Sequence, residues 1–182
     1  MASSSMVVFR FPASFVTALA DQRPRIYSYV EEAEVRRLGR PVLRPLVPVS
    51  FAVGDRFTAH LDGLVDTGAD AVLAGDLLAD RLGLDLSENE GETTHAVGGR
   101  VLTARYKTVR LRLHPYGDLD GAIHREWPAQ VGFVAGWHDY GFVLLGSVGF
   151  LDRVTVTASR FAQAVAVEHR DAFDQRFDTG PV

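Results

Sequence analysis

The chain has 182 residues, 47% hydrophobic and 23% charged, with a formal net charge of -4 and no cysteine. That length gives one domain with at most a small appendage, large enough to bury about 70% of its unfolded surface. The lack of cysteine excludes disulfide scaffolds, thiol catalysis, iron–sulfur clusters and cysteine-based zinc sites.

The excess of 23 Asp+Glu over 19 Lys+Arg gives no broad positive field, so no nucleic-acid partner is expected. No apolar run reaches the 18 or so residues of a membrane span, so no membrane partner is expected either. Arg10 and the run Phe11 to Ala20 faintly echo a secretory leader. Pro12, Ser14 and Thr17 dilute that run, and the expectation is a cytoplasmic chain, with secretion as the alternative.

In chain order, Ser28-Tyr29-Val30-Glu31 has the form of a capping box, and acidic residues give way to basic ones before Gly39 and Pro41. This pattern predicts a short helix over about 29–38. From Leu46, Val47, Val49, Phe51 and Val53 alternate, Gly54-Asp55 supplies a tight turn, and Phe57 to Val65 returns, which predicts a hairpin. Asp76 to Leu82 predicts a short helix with Asp76 as N-cap, Leu78 and Leu82 on one face and Gly83 as the stop.

Val101 to Leu113 alternates over a long run, with Tyr106, Thr108, Arg110 and Arg112 on one face and Lys107, Val109, Leu111 and Leu113 on the other. Further strands are predicted near Trp127 to Val134 and Val154 to Thr157, with a loop and the apolar run Phe142 to Leu145 between them. Many short strands with little helix predict an all-β barrel or sandwich.

The segment Leu64-Val65-Asp66-Thr67-Gly68-Ala69-Asp70 sets a carboxylate directly after a run that should be buried. A buried carboxylate is costly unless paired or hydrogen bonded, so Asp66 asks for a reason. An Asx turn at a strand end is one. The segment also resembles the signature of the retropepsin-like aspartic proteases, in which a hydrophobic pair precedes Asp-Thr/Ser-Gly-Ala. Some 80 residues on, Val143-Leu144-Leu145-Gly146 is similar to that family's hydrophobic-hydrophobic-Gly motif. Thr94-His95-Ala96-Val97-Gly98-Gly99 resembles the tip of its flap, and Val148 to Val156 its short helix and closing strand. The resemblance spans about residues 42–160.

The resemblance implies an all-β closed barrel, one acid-protease half, with one or two short helices, and an endopeptidase that needs no cofactor and no metal. It implies Asp66 as the catalytic residue, with Thr67 and Gly68 in the active-site loop. Ala69, Asp70, Val97, Gly98 and Gly99 would contact a peptide or protein substrate, and Leu144, Leu145 and Gly146 would lie beneath the site. Two carboxylates in contact share one proton, so that one activates water while the other polarises the scissile carbonyl. One credible motif per chain then implies a homodimer with Asp66 from each subunit at the two-fold axis. Asp178-Thr179-Gly180 repeats the letters but follows no hydrophobic run.

On this reading residues 1–40 are an N-terminal extension, 41–170 the protease domain and 171–182 a tail. Two departures, Ala96 where a flap glycine is common and Ser147 where an arginine is common, leave a second reading open: a non-cleaving binding or dimerisation module. A third treats the N-terminal segment as cover for the cleft. The six histidines show no zinc-helix spacing; His95, beside the flap tip, is a candidate for tuning the response to pH. Trp127, Trp137 and Tyr140 are read as core or contact aromatics, with a peptide cleft as the alternative. Phe161 to Val167 is read either as a strand for a partner's terminus or as an exposed edge or tail.

Overall fold

The computed structural model describes residues 24–37, 40–97, 99–116, 124–137 and 142–177. The stretch Met1 to Ala20, Tyr140 and Asp178-Thr179-Gly180 lie outside these. The backbone builds strands β1 (Arg25–Ser28), β2 (Val30–Arg37), β3 (Arg40–Arg44), β4 (Leu46–Val53), β5 (Arg56–Phe57), β6 (Leu61–Val65) and β7 (Val72–Gly75), then helix α1 (Asp76–Leu82). A single 3-10 turn at Leu86–Glu88 leads to β8 (Glu92–Val97), β9 (Arg100–Leu113), β10 (Arg125–Val134), β11 (Val143–Leu145), β12 (Val154–Ser159), β13 (Ala164–His169) and helix α2 (Arg170–Phe177).

Six of these strands close a barrel in the order β4-β6-β11-β7-β10-β9, because β9 pairs back onto β4 with Phe51 opposite Leu111. Closure removes free edges that would otherwise template aggregation. Strict alternation along each wall strand sends every second side chain inward. The interior is filled by Val47, Val49, Phe51, Val65, Val72, Ala74, Val109, Leu111, Leu113, Val131, Phe133, Val143 and Leu145. The all-β closed barrel with two short helices expected from the sequence is thus the architecture of the chain.

Outside the barrel, β13 lies between β1 and β12 in a three-stranded sheet. Tyr27 from β1 is fully buried and packs with Val165 and Val167 into the same core, its hydroxyl donating to the His114 carbonyl oxygen at 2.9 Å. Arg176 of α2 reaches the buried Glu168 at 2.5 Å.

Several sequence expectations are corrected. The helix expected over 29–38 is strand β2, which pairs antiparallel with β3, Val30 opposite Arg44 and Arg37 opposite Arg40. A capping box and ordered charges are each worth about 1 kcal/mol or less, which a ladder of backbone hydrogen bonds to β3 outweighs. The strand expected from Phe57 to Val65 is broken at 58–60, where Thr58 Oγ1 accepts from the Phe51 amide and the Thr58 amide donates to the Phe51 carbonyl. The N-cap of α1 is Gly75, not Asp76, whose Oδ1 accepts from the Leu77 amide in the first turn; Gly83 ends the helix at φ 69° as expected.

The short helix expected within Val148 to Val156 is a run of turns leading into β12. Within Phe161 to Val167, residues 164–167 belong to β13, the central strand of its sheet and so not an edge, while Phe161 lies exposed in the turn before it.

Candidate active site

The Asp66 loop is set between two strands by backbone chemistry alone. β6 runs parallel to β11, with Leu64 opposite Leu144 and Val65 opposite Leu145, and β11 in turn pairs antiparallel with β7. At the end of β6 the Asp66 amide donates to the Leu145 carbonyl at 3.2 Å, and the chain turns so that the Ala69 amide meets the Asp66 carbonyl at 3.2 Å. The Asp66 side chain joins this turn: its Oδ1 accepts from the Gly68 amide at 2.9 Å, which orients the half-buried carboxylate. Among the described residues no cation pairs with it.

Across the loop, the Ser147 amide donates to the Ala69 carbonyl at 2.8 Å and the Val148 amide to the Asp70 carbonyl at 2.9 Å. This crossing requires Gly146. An ideal Cβ there would lie 2.6 Å from the Ala69 carbonyl oxygen, closer than real Cβ atoms come. Leu145 supplies the carbonyl that the Asp66 amide meets and packs in the inner cluster, Leu144 packs in the outer one, and Gly146 lies against the Ala69 carbonyl.

The outer cluster is apolar and consists of Leu64, Ala71, Leu73, Ala104, Tyr106, Val134, Trp137 and Leu144. Ala69 from the Asp66 loop, and Val97 and Leu102 from the β8–β9 hairpin, pack against it. The hairpin closes between Val97 and Arg100, a two-residue connection; Gly99 takes φ 78° there, and Gly98 lies outside the described residues. Thr67, Gly68 and Asp70 are exposed at the surface of the loop. Ser147 leaves Asp70 without an arginine at that position, and Asp70 forms no ion pair among the described residues.

Sequence reasoning missed Tyr106 and Leu102 as part of this region. Tyr106 is buried on the same β9 face as the outward Thr108, Arg110 and Arg112. Its phenol is pushed up from the ordinary value, first by burial and then by the charge of Asp70. It bonds His95 Nε2 at 2.6 Å, so His95 is held on the hairpin's apolar side. The one legible signal was parity: Leu102, Ala104 and Tyr106 continue a face that the polar residues farther along β9 disguise. Trp137 is an almost fully buried core residue whose indole donates to the Phe142 carbonyl, whereas Trp127 is partly buried and packs against the inner cluster.

Elsewhere, the rings of His60, His114 and His124 adjoin in turn, tilted by 35° and 52°, with centroids 4.0 and 5.5 Å apart. His114 is buried against Ser50 at 2.8 Å. No group of three or more His, Asp or Glu among the described residues is arranged to hold a metal ion. No helix among them is long and apolar enough to cross a membrane.

Residues 47–123 match the family model of the aspartyl proteases. That match takes in the Asp66 loop and the β8–β9 hairpin and stops before Gly146, which the fold brings to the loop. A comparison with curated proteins finds no match. Among solved structures, the chain is similar to a retropepsin-like aspartic protease from Rickettsia conorii, with 17% identity over 68% of this chain and 88% of that one and a TM-score of 0.46.

Proposed function

We propose that this chain, whose residues 47–123 carry the aspartyl protease signature, is an endopeptidase that hydrolyses peptide bonds through Asp66 and the Asp66 of a second copy. The observation that carries the reading is the half-buried Asp66 carboxylate, held at the end of a wall strand by the Gly68 amide and free of any cation among the described residues. A carboxylate without a cationic partner is able to share a proton with another carboxylate brought against it. The ionised member then takes a proton from the attacking water. The protonated member hydrogen bonds the scissile carbonyl and gives its proton to the departing amine. Thr67 and Gly68, exposed on the loop, are the groups that would meet their counterparts in the partner, and the β8–β9 hairpin would serve as the flap over an extended peptide lying along Ala69, Asp70, Val97, Gly98 and Gly99.

Ala96 and Ser147, with Asp70 in no ion pair among the described residues, favour one rival reading, a binding module of the same fold that does not cleave. Both readings are separated by incubating an unfolded protein substrate with wild type and Asp66→Asn across about pH 4 to 7, because a dyad of this kind needs one shared proton. Cleavage by the wild type and none by the variant supports the protease. No cleavage by either, with peptide binding retained in both, supports the module.

A further inference from the structure

The flap and the active-site loop rest on one apolar floor. Ala69 of the loop and Val97 and Leu102 of the hairpin all pack on the outer cluster that contains Tyr106. Register fixes which hairpin residues face that floor: His95 stands opposite Leu102 and Thr93 opposite Ala104, on one side. Glu92 stands opposite Arg105 on the other, where the two form an exposed ion pair at 3.1 Å. Leucine and alanine give only contact, whereas His95 Nε2 meets the Tyr106 hydroxyl at 2.6 Å, with the rings edge-on at 6.3 Å. Tyr106 itself is fixed from below, since its ring lies over Gly132, where a Cβ would come within 3.1 Å of it. The His95 side chain of β8 is therefore tied to an anchored ring in the barrel wall, and that ring lies within reach of the charge of Asp70 on the Asp66 loop.

We propose that Tyr106 and His95 are positioning residues of the flap: their hydrogen bond pins β8 to the floor it shares with the Asp66 loop, so that the hairpin meets a peptide substrate already seated. The proposal rests on the protease reading for its consequence in catalysis, but not for its structural half. Neither residue touches the reacting atoms. A seated flap lowers the ordering cost of binding, so its loss falls on KM, while Asp66 and its water are untouched and kcat holds.

The test uses the full chain with Tyr106→Phe, which keeps the ring and its packing, His95→Ala, and His95→Gln, which keeps a hydrogen-bonding amide. Amide exchange over residues 93–97 is expected to quicken about fivefold or more in Tyr106→Phe and His95→Ala, the equivalent of one hydrogen bond. Exchange in β4 and β6 should stay unchanged, and His95→Gln should restore most of the protection. On a peptide substrate the same two variants are expected to raise KM with kcat within about twofold, as for lost uniform binding. Unchanged exchange over 93–97 in Tyr106→Phe, or an equal rise in exchange throughout the barrel, overturns the proposal, as does a fall in kcat at constant KM. If the wild type cleaves nothing while exchange behaves as expected, the protease reading fails and the flap anchor stands.

Discussion

Gly146 passes so close to Ala69 that a methyl group on its Cα would lie 2.6 Å from the Ala69 carbonyl oxygen. The neighbour is backbone, held by the Ser147 amide at 2.8 Å, so it has little freedom to yield. Gly146→Ala is expected to cost about 2–3 kcal/mol, in the range of overpacked cores, and to displace the Asp66 loop. Gly91→Ala is the control, because nothing lies within 4 Å of a Cβ there; a change within about 0.5 kcal/mol is expected. Urea unfolding of both variants measures the difference, and equal midpoints would remove the steric role of Gly146.

Asp66 from two chains at one site has a stoichiometric signature. If each dimer needs both carboxylates, mixing wild type with an equal amount of Asp66→Asn and allowing exchange should cut total cleavage to about half, as random pairing in an isologous dimer requires. Cleavage unaffected by the added variant would mean that one chain suffices.

Tyr27 links the N-terminal strand to stability in alkali. Burial, partly offset by Arg25 and Arg125, pushes its phenol up from 10.0 to about 12. A folded value above the unfolded one means that the folded state keeps a proton that the unfolded state releases. The contribution is complete below pH 10 and is lost as pH climbs toward 12. Stability measured between pH 8 and 11.5 should therefore fall, and Tyr27→Phe should flatten that fall while costing about 1 kcal/mol at neutral pH through the lost bond to the His114 carbonyl. An identical alkaline slope in the variant would contradict the assignment.

Glu126 makes the opposite case. Partial burial raises its carboxyl, but the hydrogen bond and charge of Arg112, with Arg110 and His124 beside it, outweigh burial and hold it below the ordinary value of 4.5. A depressed folded value gives stability that is present above pH 4.5 and lost as pH falls through it. Glu126→Gln should thus be less stable than wild type at pH 7, and the gap should close as the pH falls below the depressed folded value. Acid titration of unfolding free energy checks this; a gap that persists unchanged at low pH would place the effect in packing rather than charge.

Much of the site was legible because it is local. Asp66-Thr67-Gly68-Ala69 occupies one turn, helix α1 over Asp76–Leu82 is set by its own spacing and by Gly83, and the alternation of Val101 to Leu113 is a property of consecutive residues. What the sequence by itself determined was therefore the strand-rich class and the local turn that carries Asp66, while the pairing of β11 with β6 brought Leu144 and Leu145 beside that turn. Tertiary structure decided the rest. Residues 29–38 carry helix signals, but β2 pairs with β3, and Tyr27 acquires its buried place only by pairing with Val165 across the three-stranded sheet. His95 and Tyr106 read as an isolated histidine and one member of a mostly polar face until the β8–β9 register and the outer cluster bring them together. The physical reason is range: propensity, capping and turn chemistry act between residues a few positions apart, whereas burial and strand pairing depend on which distant segment arrives alongside.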